Sequence, residues 1–139
     1  MRVVADTNNI VSGLLWHGPS RQLLDAARQG WIGLFTSGAL LAELEDVLQR
    51  EKFLKRLAKA NLQPRELVTG YAALATIVQP EPIAPVVLRD PDDDAVIACA
   101  KAADATYIVS GDGDLLTLKK YQGIEIVKVA EFISRMAQS

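Results

Sequence analysis

The chain has 139 residues, 50% apolar, 23% charged and 6% aromatic, the balance expected of one globular domain spanning residues 1–139. Fifteen Lys and Arg against seventeen Asp and Glu give a net charge of −2, which excludes a nucleic-acid binder that works by blanket positive charge. The single cysteine, Cys99, excludes an internal disulfide framework and a cysteine-built zinc cage, and it makes the reducing cytoplasm the expected compartment.

Arg2-Val3-Val4-Ala5 reads as a first strand, and its unbroken apolar run suits a strand covered on both faces. Asp6 cuts that run too short for a signal peptide, and no later stretch is long enough to span a bilayer, so neither secretion nor membrane insertion is expected. Ser20 is placed to cap a helix through Leu23, Leu24, Ala26 and Ala27 that Gly30 stops. Residues 32–36 read as a second strand. Ser37 then caps a helix whose stripe is Leu40, Leu41, Leu44, Val47 and Leu48, ending near Arg50. A basic helix is expected over 52–61. Pro64 opens another through Leu67, Tyr71, Leu74 and Ile77, and Pro80, Pro82 and Pro85 impose an extended connector. Asp93 or Asp94 begins a small-residue helix that leads to a strand over 106–109. A turn, a short helix or turn at 115–118, a strand over 124–127 and a closing helix over 130–136 follow. Strands alternating with helices predict an α/β fold around a mostly parallel sheet.

Carboxylates fall where such a sheet gathers function, just past the carboxyl ends of strands. Asp6 follows the first strand, Asp112 and Asp114 follow the strand ending at Val109, and Asp92, Asp93 and Asp94 open the helix that feeds it. On the helix after the second strand, Glu43 and Glu45 flank the apolar stripe on opposite sides, so spacing lets either face a crevice. Two carboxylates about 4 Å apart repel by roughly 4 kcal/mol at an effective dielectric of about 20, so a cluster calls for a cation. Oxygen ligands without clustered His or Cys suit Mg²⁺ or Mn²⁺, and phosphodiester hydrolysis is the reaction these parts serve.

Other residues have plainer readings. Asp90 and Asp92 read as a solvated loop and helix cap, Glu45, Asp46, Asp104 and Glu125 as surface charges, Cys99, Trp16 and Trp31 as packing residues. His17, the sole histidine, lies beside Gly18 and Pro19 in a loop unsuited to a triad. Arg50, Lys52, Lys55, Arg56 and Lys59 form the densest positive patch, a solvated helix face or a wall for RNA phosphates. A phospho-receiver module needs an acceptor Asp after its middle strand, and no Asp stands between Asp46 and Asp90. A non-catalytic binding protein on the same scaffold has no reason to keep a full acid set.

Asp6-Thr7-Asn8, Ser37-Gly38-Ala39-Leu40-Leu41-Ala42-Glu43-Leu44, Asp90-Pro91-Asp92-Asp93-Asp94 and Ser110-Gly111-Asp112-Gly113-Asp114-Leu115 stand in one order along the chain. In that order they resemble the motifs of the PIN-domain nucleases, in particular the small single-domain branch of toxins from toxin–antitoxin pairs. The resemblance implies a Rossmann-like three-layer sandwich whose ring of acids holds Mg²⁺ or Mn²⁺ and cuts single-stranded RNA. By position it implies Asp6 as the first acid, Glu43 as the second and Asp112 as the fourth. The third falls on Asp94 against the common family helix and on Asp93 by the alignment typical of the branch. Asp114 is implied as an outer ligand or loop support, and Thr7, Asn8 and Ser110 as the polar residues that orient the first acid. A cognate antitoxin and a homodimer are implied as partners. Asn9 departs from the pattern, standing where the family usually places an apolar residue.

Overall fold

In the computed structural model, residues 1–85 and 91–138 are described. Six strands and eight helices are found among them. They run β1 (Arg2–Ala5), α1 (Thr7–Leu15), α2 (Pro19–Arg28), β2 (Gly33–Ser37), α3 (Gly38–Leu48), α4 (Glu51–Lys59), α5 (Pro64–Leu74) and β3 (Thr76–Val78), then α6 (Pro91–Ala102), β4 (Tyr107–Val109), α7 (Gly113–Leu118), β5 (Lys120–Tyr121), β6 (Ile124–Val127) and α8 (Val129–Ala137). The strands order as β3-β2-β1-β4-β6-β5, parallel except for the β5–β6 hairpin.

Alternating strand residues feed two apolar layers, which makes the α/β three-layer sandwich. Val3, Leu34, Val109 and Val127 face a core built from α1, α2, α3, α4, α5 and α8, sealed by Leu23, Leu24, Leu48, Leu57 and Phe132. Val4, Phe35, Ile108 and Ile126 face the other core, where α6 and α7 supply Val96, Ile97, Cys99, Ala100 and Leu115. Small residues on α6 let that helix lie close on the sheet.

β1 is central. From it the chain goes first to β2 and β3 on one side, then crosses to β4 on the other, so the strand order reverses between β1 and β4. Ala5 pairs with Val109, which sets Asp6 and Ser110 side by side at the carboxyl ends. Open α/β sheets hold their crevice at this point.

Several local expectations are corrected. Residues 7–15, to which the sequence reading assigns no element, form helix α1 directly after Asp6. Helix α2 starts at Pro19 with Gly18 as its cap at φ 136°, and the Ser20 hydroxyl bonds Asn9 instead. Ile77 does not continue α5. Ala75 is extended, and Thr76, Ile77 and Val78 pair with Phe35, Thr36 and Ser37 as an edge strand. Trp31 packs little, at 64% exposure, while Trp16 lies half open against the Phe53 ring and beneath Arg56. Helix α6 begins at Pro91, and Asp90 lies outside the described residues.

Candidate metal centre

Asp6 follows β1 and caps α1. Its buried carboxylate takes four donors: the Asn9 amide N at 3.0 Å and Asn9 Nδ2 at 2.8 Å on Oδ1, Ser110 Oγ at 2.5 Å and the Gly111 N at 3.3 Å on Oδ2. A carboxylate offers about four lone-pair sites, so Asp6 is held in one orientation. The Ser110 hydroxyl, fully buried, also accepts from the Asp112 N at 2.9 Å and so couples the two acids. Asp112 caps α7, its Oδ1 accepting from the Asp114 and Leu115 amides at 2.9 and 3.1 Å.

The amide expected of Asn8 is therefore supplied by Asn9. On the first helical turn the third residue after the cap turns back toward it, whereas Asn8 is exposed and Thr7, buried, has no hydrogen bond to Asp6 among the described residues. The Asn9 side chain is itself fixed by the Ser20 hydroxyl at 3.2 Å. The one local signal for this was the Asp-x-x-Asn spacing at the start of α1.

A cleft of about 180 Å³ opens over these groups. Asp6 and Asp112 line it from the β1–α1 junction and the β4–α7 turn, Glu43 from α3, and Asp92 and Asp93 from the first turn of α6. Thr7, Asn8, Val47, Val96 and Arg50 complete the wall. Glu43 thus faces the crevice and Glu45 is outside the lining. Asp93 is buried in the wall, Asp94 half-buried and outside it, and Asp92, expected in a solvated loop, lies within it. Carboxylate oxygens of Asp93, Asp112 and Asp114 all lie within 4.8 Å of one another, close enough to hold one ion. This all-oxygen set fits a hard divalent cation, which takes carboxylates and water. The acidic triad can bind a divalent metal.

The five cations between Arg50 and Lys59 have separate surroundings. Arg50 alone of them enters the acid cleft. Lys55 pairs with Glu51 at 3.4 Å, Lys52 lies over the Phe53 ring, and Arg56 donates through Nε and Nη2 to the Leu15 carbonyl at 3.0 and 2.6 Å. Arg56 and Lys59 border a different groove with Leu14, Leu57 and Leu62. Arg56 is thus drawn into tertiary structure, because a guanidinium fork answers a helix-end carbonyl that would otherwise lack a donor. His17 is exposed in the α1–α2 loop, as expected. Cys99 is buried, and burial pushes its thiol up to about 12.

No helix among the described residues is long and apolar enough to cross a membrane. No curated protein matches the chain. Among solved structures, the T. brucei RRP44 PIN domain is similar at a TM-score of 0.50, with 13% identity, over 98% of this chain and 80% of that one, a likeness of fold. A family model described as the PIN domain matches residues 2–114, a span that holds every acid of the cleft. The chain belongs to the PIN domain family.

Proposed function

We propose that the chain is a divalent-metal-dependent endoribonuclease that hydrolyses phosphodiester bonds in single-stranded RNA. The observation that carries this is the convergence of Asp6, Glu43, Asp93 and Asp112, from four separate segments, on one cleft at the switch point of the sheet. Their mutual repulsion is relieved by Mg²⁺ or Mn²⁺, which supplies Lewis-acid polarisation of the phosphate and a source of hydroxide at neutral pH.

Asp93 and Asp112, with Asp114 at the rim, are the residues we assign to hold the ion; Asp6 and Glu43 complete the ring. Asp93's place in the cleft wall supports it as the third acid over Asp94. Ser110 and Asn9 orient Asp6. Arg50 faces the incoming phosphate as a cation of the wall, while Lys52, Lys55, Arg56 and Lys59 add diffuse attraction for RNA along α4. The likeness in motif to the toxin branch supports further expectations: a cytoplasmic toxin, restrained by a cognate antitoxin, that works as a homodimer.

The test is cleavage of a labelled single-stranded RNA with Mn²⁺ or with chelator, by wild type and by Asp93→Asn and Asp112→Asn. Wild type should cut only with metal, and each variant should lose at least about a hundredfold, beyond the roughly 10–100-fold carried by outer hydrogen-bond partners. Folding is checked by melting: wild type should gain about 2.7 kcal/mol at a hundredfold excess of Mn²⁺ over its Kd, and the variants much less. Chelator-resistant cleavage, or full activity in both variants, overturns the assignment.

A further inference from the structure

Two grooves meet at the Asp6 and Asp112 pair. One is the acid cleft. The other, of about 450 Å³, shares Asp6, Asn8 and Asp112 with it and is otherwise walled by Asn9, Ser12, Gly111 and Gly113. Its volume falls in the range of small-molecule sites, about 300–1,000 Å³. Among the described residues, this second groove carries no charged side chain beyond the two shared acids. It offers no countercharge to a phosphate; it offers amide, hydroxyl and bare backbone.

Gly111 and Gly113 flank Asp112, and a Cβ built on either meets nothing within 4 Å. Neither has the left-handed φ found at Gly18, Gly30 and Gly123. The fold therefore requires glycine at neither position, although glycine costs chain entropy wherever it stands. What the missing side chains leave is open room beside Asp112. Asn8 and Ser12 stand one turn apart on α1, both exposed, with side chains that bond nothing among the described residues, in contrast to the engaged amide of Asn9.

We propose that this groove seats the nucleoside joined to the phosphodiester held in the acid cleft. Asn8 and Ser12 meet its base edge and ribose hydroxyls, and the glycine pair lets the sugar lie against the backbone next to Asp112. The proposal rests on the nuclease reading and adds a source of preference among nucleotides. Phosphate contacts position a strand without reading it, whereas unstacked RNA bases are read through hydrogen bonds to their edges and to the 2′-hydroxyl. Asn8 and Ser12 are neutral donors and acceptors suited to that reading.

Asn8→Ala, Gly113→Ala and Gly113→Val are compared with wild type for kcat, KM and cut positions on a random-sequence single-stranded RNA, and for the Mn²⁺-induced rise in melting temperature. The KM should climb with side-chain size at position 113, about tenfold for Val, and Asn8→Ala should redistribute the cuts. The Mn²⁺ response should persist in all three. Unchanged KM and cut positions in every variant remove the nucleoside seat while leaving the nuclease intact. Loss of kcat in step with loss of the Mn²⁺ response also overturns it, because the groove would then act through the metal centre. A wild-type protein that cuts no RNA removes the nuclease reading itself.

Discussion

Ser110 donates to one acid and accepts from the backbone of another, so a single buried hydroxyl sets the relative placing of Asp6 and Asp112. Replacing it with alanine leaves a carboxylate oxygen and an amide N–H each one partner short. Ser110→Ala should therefore lower stability by about 1–3 kcal/mol in urea unfolding. It should also weaken Mn²⁺ binding by about 10–100-fold, the usual weight of a group that orients a ligand. Calorimetric titration with Mn²⁺ separates the two effects: a destabilised variant that keeps wild-type affinity would confine Ser110 to architecture. The acids themselves were legible from the sequence, since strand ends and carboxylates are both visible there. The choice between Asp93 and Asp94 was not, because adjacent residues on a helix differ by about 100° in direction and only the packing of α6 says which points inward. The part Asn9 plays was hidden for a related reason. It departs from the family's apolar residue, and its side-chain Nδ2, one turn past the cap, donates to Asp6 while its Oδ1 accepts from the Ser20 hydroxyl.

Helices α1 and α2 touch at Gly13, where a Cβ would stand 2.7 Å from the Ser20 carbonyl oxygen and 2.8 Å from Leu24 Cδ1. A backbone oxygen cannot swing aside as a side chain can. Gly13→Ala should cost about 1–3 kcal/mol through overpacking, despite alanine's better helix propensity, and denaturant midpoints read the sign directly. A stabilised variant would mean that the two helices separate freely. The same contact explains why α1 was hard to see from sequence. Asn8, Asn9, Ser12 and Gly13 are weak helix formers, and the helix exists because Asp6 caps it and Ile10, Val11 and Leu15 are buried. By contrast α3 was readable from its Ser37 cap and leucine stripe, and Ser37 Oγ does accept from the Leu40 N at 3.3 Å. β3 was hidden because Ile77 fits the helical spacing of α5 as well as it fits a strand, and pairing with β2 decides between them. β5 was hidden by its length, two residues whose hairpin turns on Gln122 at φ 47° and Gly123 at φ 86°.

Across the whole molecule the central sheet separates two cores, and each contains a buried titratable group. Tyr71 sits in the α5 side of one core, and its hydroxyl has no hydrogen-bond partner among the described residues. Cys99 sits in the α6 side of the other. Burial raises both groups, the thiol to about 12 and the phenol well above its ordinary 10.0, the nearby Cys99 adding to the shift of Tyr71. Because the neutral forms are the ones stabilised in the native state, the contribution is complete below the unfolded pKa values. Above about pH 9 the unfolded chain gives up protons that the folded chain keeps, so stability falls as pH rises toward 12. Each such group adds a slope of about 1.4 kcal/mol per pH unit between its two pKa values. Melting temperature should accordingly drop through this alkaline window, more shallowly in Cys99→Ala from about pH 9 and in Tyr71→Phe from about pH 10. At pH 7 the two variants should diverge. Cys99→Ala loses packed volume, whereas Tyr71→Phe removes an unsatisfied buried hydroxyl and should be neutral or stabilising by about 1 kcal/mol. A clear loss of stability at pH 7 in Tyr71→Phe would show that the hydroxyl has a partner, and an unchanged alkaline slope in both variants would place the titrating groups elsewhere.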